Sequence, residues 1–240
     1  RRLIFDELFY LQMGLLKLKD KNRKIKNSSK IVTDYTEEFF SLLPFEPTSA
    51  QKRAVKEAIS DMKTDNSMNR LLQGDVGSGK TVVAGLIAHI AAQAGFQTAI
   101  MAPTELLATQ HAETLQTLLA PFETSVALLT GSVKGKARAE LYKHIASGEV
   151  PVVVGTHALI QDAVQFHNLA FVVIDEQHRF GVEQRQKLLA KSSKMPHLLA
   201  MTATPIPRSL QLTIYGELDI SILDEKPKNR LPIKTEIVSP

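Results

Sequence analysis

The sequence predicts an α/β fold, a mostly parallel sheet carrying helices on both faces. Three observations predict it. From about residue 43 onward, short β-branched and aliphatic runs alternate with helix-length stretches. The runs are apolar throughout, as strands covered on both faces are. A glycine-rich turn, Gly74 to Thr81, separates one such run from a helix.

The expected strands are Arg70–Gln73, Thr98–Met101, Ser125–Leu129, Val150–Val154, Leu169–Ile174 and His197–Met201. Helices are expected over 49–63, 80–94, 105–119, 135–147 and 182–191. Ahead of them, Leu3, Phe5, Leu8, Phe9, Leu11, Leu15, Leu16 and Leu18 recur at helical spacing, so residues 2 to about 26 read as an amphipathic helix. Its basic end, Lys17 to Lys30, closes on the turn-prone Asn27-Ser28-Ser29 and reads either as a solvated connector or as a phosphate-contacting helix. The expected organisation is a basic helix and linker over 1–33, the main lobe over 34–226 and a Pro-punctuated linker over 227–240.

Composition narrows the function classes. The chain has 240 residues, 44% of them hydrophobic and 22% charged, which excludes a disordered chain and a collagenous repeat. With no cysteine, disulfide frameworks, zinc ribbons and cysteine nucleophiles are excluded, and a reducing, cytoplasmic setting is the expectation. The most apolar stretch, Val82 to Gly95, is too short to span a bilayer, so no membrane partner is expected. The opening Arg1-Arg2-Leu3 lacks an initiator Met, so the chain reads as a piece of a longer one. The net charge of +4 divides unevenly. Residues 1–30 hold nine Lys/Arg against three acids and the rest twenty against twenty-two, so charge alone does not make the main lobe a nucleic-acid binder.

Gly74-Asp75-Val76-Gly77-Ser78-Gly79-Lys80-Thr81 satisfies the P-loop pattern G-x-x-x-x-G-K-[ST]. Its glycines let backbone N–H groups curl around phosphates, and the following helix adds its positive end. Lys80 is expected on the β- and γ-phosphates and the Thr81 hydroxyl on Mg²⁺. The strand ending Asp175-Glu176 supplies the complementary acids. Asp175 is the second Mg²⁺ residue and Glu176 polarises water, against the plainer reading of a cap followed by a surface acid. Gln177 and His178 stand where the γ-phosphate can be sensed, although a lone histidine is more often structural.

Two further motifs have a structural and a functional reading each. Thr48 and Gln51 are spaced as a helix capping box, or Gln51 reads adenine while Phe45 packs on the base. Thr202-Ala203-Thr204 follows a strand, and its hydroxyls either relay between nucleotide and polymer or cap the helix that Pro205 and Pro207 introduce.

Taken together, the Gln51 region, the P-loop, Ala102–Leu106, Leu129–Gly131, Gly155–His157, Asp175–His178 and Thr202–Thr204 resemble, in order, the first RecA-like motor lobe of superfamily 2 helicases. Within it the chain looks most similar to the RecG family of bacterial ATP-dependent helicases. The segments Gly74–Thr81, Met101–His111, Gly131–Glu140, Gly155–Gln161 and Asp175–Arg185 carry that likeness. The transcription-repair coupling translocases share Arg179–Val182 but typically differ after the strand-tip Asp.

The resemblance implies ATP and Mg²⁺ as ligands and branched or duplex DNA as substrate, in recombination and repair. It implies that Pro103, Thr104, Thr130, Gly131 and Thr156 line a track for DNA phosphates without reading bases. Lys134, Lys136 and Arg138 would add phosphate contacts. It also implies a second RecA-like lobe and a wedge domain in the full-length chain, without which this lobe hydrolyses ATP slowly or not at all. Other readings are a coupling-translocase lobe, a nucleotide-gated DNA-binding module without turnover, and an RNA helicase, since phosphate contacts do not separate the sugars.

Overall fold

The structure is a computed structural model that describes residues 9, 10, 13, 14, 17, 29–32, 36–204 and 218–225. Phe9, Tyr10, Met13, Gly14 and Lys17 are helical. The rest of the expected connecting helix, the segment from Pro205 and the 227–240 linker lie outside the described residues.

The elements in chain order are α1 (Thr36–Leu42), α2 (Ser49–Met62), β1 (Asn69–Gly74), α3 (Lys80–Gln93), β2 (Gln97–Met101), α4 (Glu105–Leu119), β3 (Val126–Leu129), α5 (Gly135–Ser147), β4 (Val152–Gly155), β5 (Leu169–Asp175), α6 (Val182–Leu189), β6 (His197–Thr202) and β7 (Asp219–Leu223). Short 3₁₀ turns follow α4, β4 and β5 at Ala120–Phe122, His157–Ile160 and Gln177–Arg179. The seven strands form one sheet in the order β3-β4-β2-β5-β6-β1-β7, and every pairing is parallel. β4 starts later than expected because Pro151 has no N–H to give the ladder. Its carbonyl still accepts from Thr98 N at 2.7 Å.

Strand alternation sorts the core into two halves. Ile100, Val152, Val154, Phe171, Val173, Leu199 and Met201 face a layer built from α2, α3 and α4. Ala99, Met101, Val153, Val172, Ile174 and Leu198 face the other side, with Ile145 of α5 and Leu188 of α6. This two-sided burial explains why the strands read as unbroken apolar runs. The helices α3 and α4 pack closely because Gly85 has no side chain; a Cβ there would lie 2.7 Å from Leu115 and 2.8 Å from Leu118.

Two polar residues at the strand starts fasten the layers. Gln97 donates from Nε2 to the carbonyls of Ile145 and Val150 and accepts at Oε1 from the N–H groups of His167 and Asn168. His197, fully buried, pairs Nδ1 with Met68 N at 3.0 Å and Nε2 with Ser29 O at 2.8 Å. Ile31 is also buried, and its N–H donates to Met62 O. Ser29 and Ile31, on the linker side of the expected boundary at 33, therefore pack with the lobe.

Two elements were not expected, α1 and β7. β7 adds to β1 from the far end of the sequence and is tied down by charge. Arg70, 9% exposed at its side chain, pairs with Glu57 at 2.9 Å and Asp61 at 2.8 Å and donates to Ser221 Oγ at 2.8 Å. Ser221 Oγ donates in turn to Glu57. Arg53 donates to Ile222 O at 3.0 Å and Asp224 at 3.1 Å, closing the same edge.

Candidate nucleotide site and nucleic-acid track

In a parallel sheet all the carboxyl ends of the strands share one rim, and ligands gather there. The order of strands divides this rim. β5, β6 and β1 are consecutive, so Asp175, Thr202 and Gly74 end three neighbouring strands, with Asp175 paired to Met201 and Gln73 to Thr202. β3, β4 and β2 are the other consecutive set, and they end in Leu129, Gly155 and Met101. Thr130-Gly131, Thr156 and Pro103-Thr104 follow them. The residues expected at nucleotide and those expected at DNA thus occupy adjoining halves of one rim.

The P-loop turns as the glycines allow. Gly77 and Gly79 have φ of 77° and 86°, the left-handed region that disfavours side chains. Ser78 N donates to Asp75 O at 3.1 Å, and Val76 N to Asp75 Oδ1 at 2.8 Å. Gly79 is the N-cap of α3, so the first turn of that helix opens on the loop. Lys80 Nζ donates to Gly74 O at 2.7 Å and Asp75 O at 3.1 Å, across the mouth of the loop. Burial pushes the Lys80 ammonium below its ordinary pKa, and the charges of Asp175, Glu176 and Asp75 oppose that shift.

Gln51 serves the fold and the loop at once. Its Oε1 accepts from Thr48 N at 3.0 Å while Thr48 Oγ1 accepts from Gln51 N at 3.2 Å, so the capping box is present. Its Nε2 donates to Ser78 O at 2.8 Å. With both ends of the amide engaged, Gln51 braces the P-loop, and a Cβ at Gly79 would collide with its Nε2. Phe45, in the bend ahead of α2, is 40% exposed.

On the facing strand, Asp175 is buried. Its Oδ1 accepts from Glu176 N at 3.0 Å, and its Oδ2 lies 2.7 Å from His111 Nε2. His111 Nδ1 in turn lies 3.3 Å from Thr81 Oγ1. The two residues expected to hold Mg²⁺ therefore meet at one imidazole, so they face a common point. Among the described residues no group of three or more His, Cys, Asp or Glu side chains can hold a metal alone. In the sequence, His111 is only the last residue of the Met101–His111 segment, and nothing in its spacing on an amphipathic helix announces contact with Asp175.

Glu176 is one of two described non-glycine residues with positive φ (47°), at the turn into Gln177–Arg179. Its Oε2 lies 3.5 Å from His178 Nδ1. Gln177 is buried with Oε1 unpartnered. At the end of β6, between the tips of β5 and β1, Thr202 Oγ1 accepts from Thr204 N at 3.2 Å, a capping geometry that also leaves Thr204 exposed, with Ala203 half-buried.

On the other half of the rim, Thr104 caps α4 by accepting from Leu107 N at 3.3 Å. Thr130 Oγ1 is 2.6 Å from Ser132 Oγ. Gly131 N donates to Glu105 Oε1 at 2.9 Å, so a carboxylate holds the N–H expected on phosphate. Thr156 is buried with an unpartnered hydroxyl. Lys134 and Lys136 are exposed, whereas Arg138 is spent within the fold, donating to Tyr142 Oη and Gln161 Oε1, both at 2.6 Å.

The DEAD/DEAH box helicase family matches residues 48–213. The ATP-dependent DNA helicase RecG of Synechocystis is 51% identical over 243 residues, covering 100% of this chain and 29% of that protein. RecG of Bacillus subtilis is 48% identical over 98% of this chain and 35% of its own length. The chain thus spans about a third of the relatives it matches. A solved structure of RecG bound to a three-way DNA junction superposes with a TM-score of 0.83 at 44% identity, over 97% of this chain and 31% of that one. The UvsW helicase from bacteriophage T4 shares the fold alone, with a TM-score of 0.59 at 18% identity over 84% of this chain and 70% of that one. No described helix is long and apolar enough to cross a membrane. Motif order, the all-parallel RecA-like sheet and the family match coincide on the same residues: the chain belongs to the DEAD/DEAH box helicases.

Proposed function

We propose that this chain is the first motor lobe of an ATP-dependent DNA helicase that remodels branched DNA in recombination and repair. The observation that carries the proposal is the divided rim. Lys80, Thr81, Asp175 and Glu176 gather at the ends of β1 and β5, while Pro103, Thr104, Thr130, Gly131 and Thr156 end the adjoining strands. In this reading the P-loop N–H groups and Lys80 hold the β- and γ-phosphates, and Thr81 and Asp175 hold Mg²⁺. Mg²⁺ supplies charge neutralisation at the phosphates. Glu176, with His178 beside it, orients and deprotonates the attacking water, and Gln177 senses the γ-phosphate. Thr202, Ala203 and Thr204, at the end of β6 between the Asp175 and P-loop strands, pass the state of the nucleotide on to the polymer track.

The similarity to RecG, one example of which is bound to a DNA junction, supports DNA as the polymer and a cytoplasmic setting. Coverage of about a third of those relatives supports further domains in the full-length protein: a wedge and a second RecA-like lobe whose arginines complete the hydrolytic site. The lobe alone is then a nucleotide binder with little turnover.

The test is steady-state ATP hydrolysis by this chain and by the full-length protein, each with and without a synthetic three-way fork, Glu176→Gln serving as blank. The expected result is Mg-ATP binding by the lobe, turnover at the blank's level, and fork-stimulated turnover only in the full-length protein. A Lys80→Ala lobe that binds nucleotide as well as the parent removes the P-loop assignment. Fork-stimulated turnover by the lobe alone overturns the need for a second one.

A further inference from the structure

Resting on the nucleotide site proposed above, we infer that His111 is a positioning residue, one that orients Thr81 and Asp175 toward the cation through its two ring nitrogens. The inference starts from the bridge. Nε2 lies 2.7 Å from Asp175 Oδ2 and Nδ1 lies 3.3 Å from Thr81 Oγ1, with the His111 side chain 13% exposed and that of Asp175 9%.

The acceptor on one side fixes what happens on the other. Asp175 as a carboxylate only accepts, so Nε2 carries a proton and donates to Oδ2. In the neutral ring Nδ1 is then an acceptor, and the Thr81 hydroxyl donates to it. A hydroxyl whose proton is taken by Nδ1 turns its lone pairs elsewhere, which is the state a metal ligand needs. The carboxylate is fixed from both sides as well, Oδ2 by His111 and Oδ1 by the Glu176 N–H at 3.0 Å. Removing a partner that holds a ligand side chain in this way typically costs about 10–100-fold in metal affinity.

The fold explains how a helix from the other half of the rim reaches this place. α4 begins at the Thr104 cap, directly after β2. Gly85 lets α4 lie against α3, the helix that begins with Lys80 and Thr81. His111, on the second turn of α4, is thereby carried to the first turn of α3 and the tip of β5. One rigid helix joins the proposed DNA track to the proposed cation site.

The experiment is binding of a fluorescent ADP analogue to this chain, in Mg²⁺ and in EDTA, for wild type, His111→Leu and His111→Gln. Leucine fills the volume without either hydrogen bond. Glutamine returns an Nε2 donor toward Asp175. The expected result is that His111→Leu loses about tenfold of the Mg²⁺-dependent gain in affinity, keeps its affinity in EDTA, and is largely rescued in His111→Gln. If the leucine variant fails to fold, His111→Asn takes its place, its amide being too short for Asp175 Oδ2. An undiminished Mg²⁺ gain without the imidazole overturns the inference, as does an equal loss in Mg²⁺ and EDTA. A wild-type chain that binds the analogue with no Mg²⁺ gain fails the proposed cation site itself, and this assignment with it.

Discussion

The Gln51 side-chain amide donates to the Ser78 carbonyl at 2.8 Å while its oxygen caps Thr48 N at 3.0 Å. One buried side chain therefore sets both the start of α2 and the curl of the P-loop. Gln51→Ala keeps the Thr48 cap but removes the reciprocal bond of the capping box to Thr48 N, worth about 0.5–1.5 kcal/mol, and leaves Ser78 O unpaired, worth about another 1–3 kcal/mol. The expected outcome is a fall in unfolding free energy within that combined range, read by urea denaturation. A weakened affinity for Mg-ATP should accompany it. Gln51→Glu should bind nucleotide still less well, because a carboxylate then faces the Ser78 carbonyl.

Glu176 stands in the left-handed region at φ 47°, which costs a side-chain-bearing residue roughly 1–2 kcal/mol. Asparagine enters that region more readily than glutamate. Glu176→Asn is expected to hold or raise the melting temperature while abolishing turnover in the full-length protein. A clear loss of stability would show that the Glu176 side chain holds the turn.

Arg70 lies between two carboxylates and a hydroxyl and fastens β7 to β1. Removing one member of a buried ionic group strands the others. Arg70→Ala is expected to lose about 1.5–3 kcal/mol in urea denaturation, less than for a fully buried pair because the Glu57 and Asp61 side chains are 37% and 31% exposed, with proteolysis opening first around residues 218–225.

Two buried histidines predict acid sensitivity. His89 sits against Phe39 and Phe122 and beside Thr124 Oγ1, and burial lowers its pKa below the ordinary 6.5 against a smaller opposing pull from Glu38. Burial lowers that of His197 too, opposed by its bond to Ser29 and by Asp61. Below pH 6.5 the unfolded chain takes up protons that the folded one refuses, so the stability present above 6.5 is lost as pH falls. The melting temperature should fall between pH 7 and pH 5. The slope should flatten in His89→Gln, which does not titrate.

The layered fold was legible because its strands are buried on both faces and its helices carry readable caps. Thr48, Thr104 and the P-loop glycines mark their boundaries in local sequence. β7 was not legible. Asp219–Leu223 is short, half exposed and interrupted by Ser221, and it becomes a strand only because β1 offers it an edge. At the site, residue types at fixed spacing revealed the P-loop and the Asp175-Glu176 pair. Contacts between distant segments, such as Gln51 with Ser78 and His111 with Asp175, leave no mark of that kind. A glutamine in a capping box and a histidine on an amphipathic helix each have a sufficient local explanation.

The position of β1 has a consequence for how the chain acquires its form. Both of its ladder partners, β6 and β7, come from the last part of the sequence, whereas β2, β4 and β5 pair among themselves. Contacts between segments so far apart close the largest loops and are the slowest to make. On a ribosome, the strand that leads into the P-loop emerges before the other six described strands and is among the last to find a neighbour. Until then it is an uncovered apolar edge, open to pairing with another chain. A truncation between β6 and β7 would make that exposure permanent on one side, so the fragment's natural failure is aggregation through β1, ahead of any loss of chemistry.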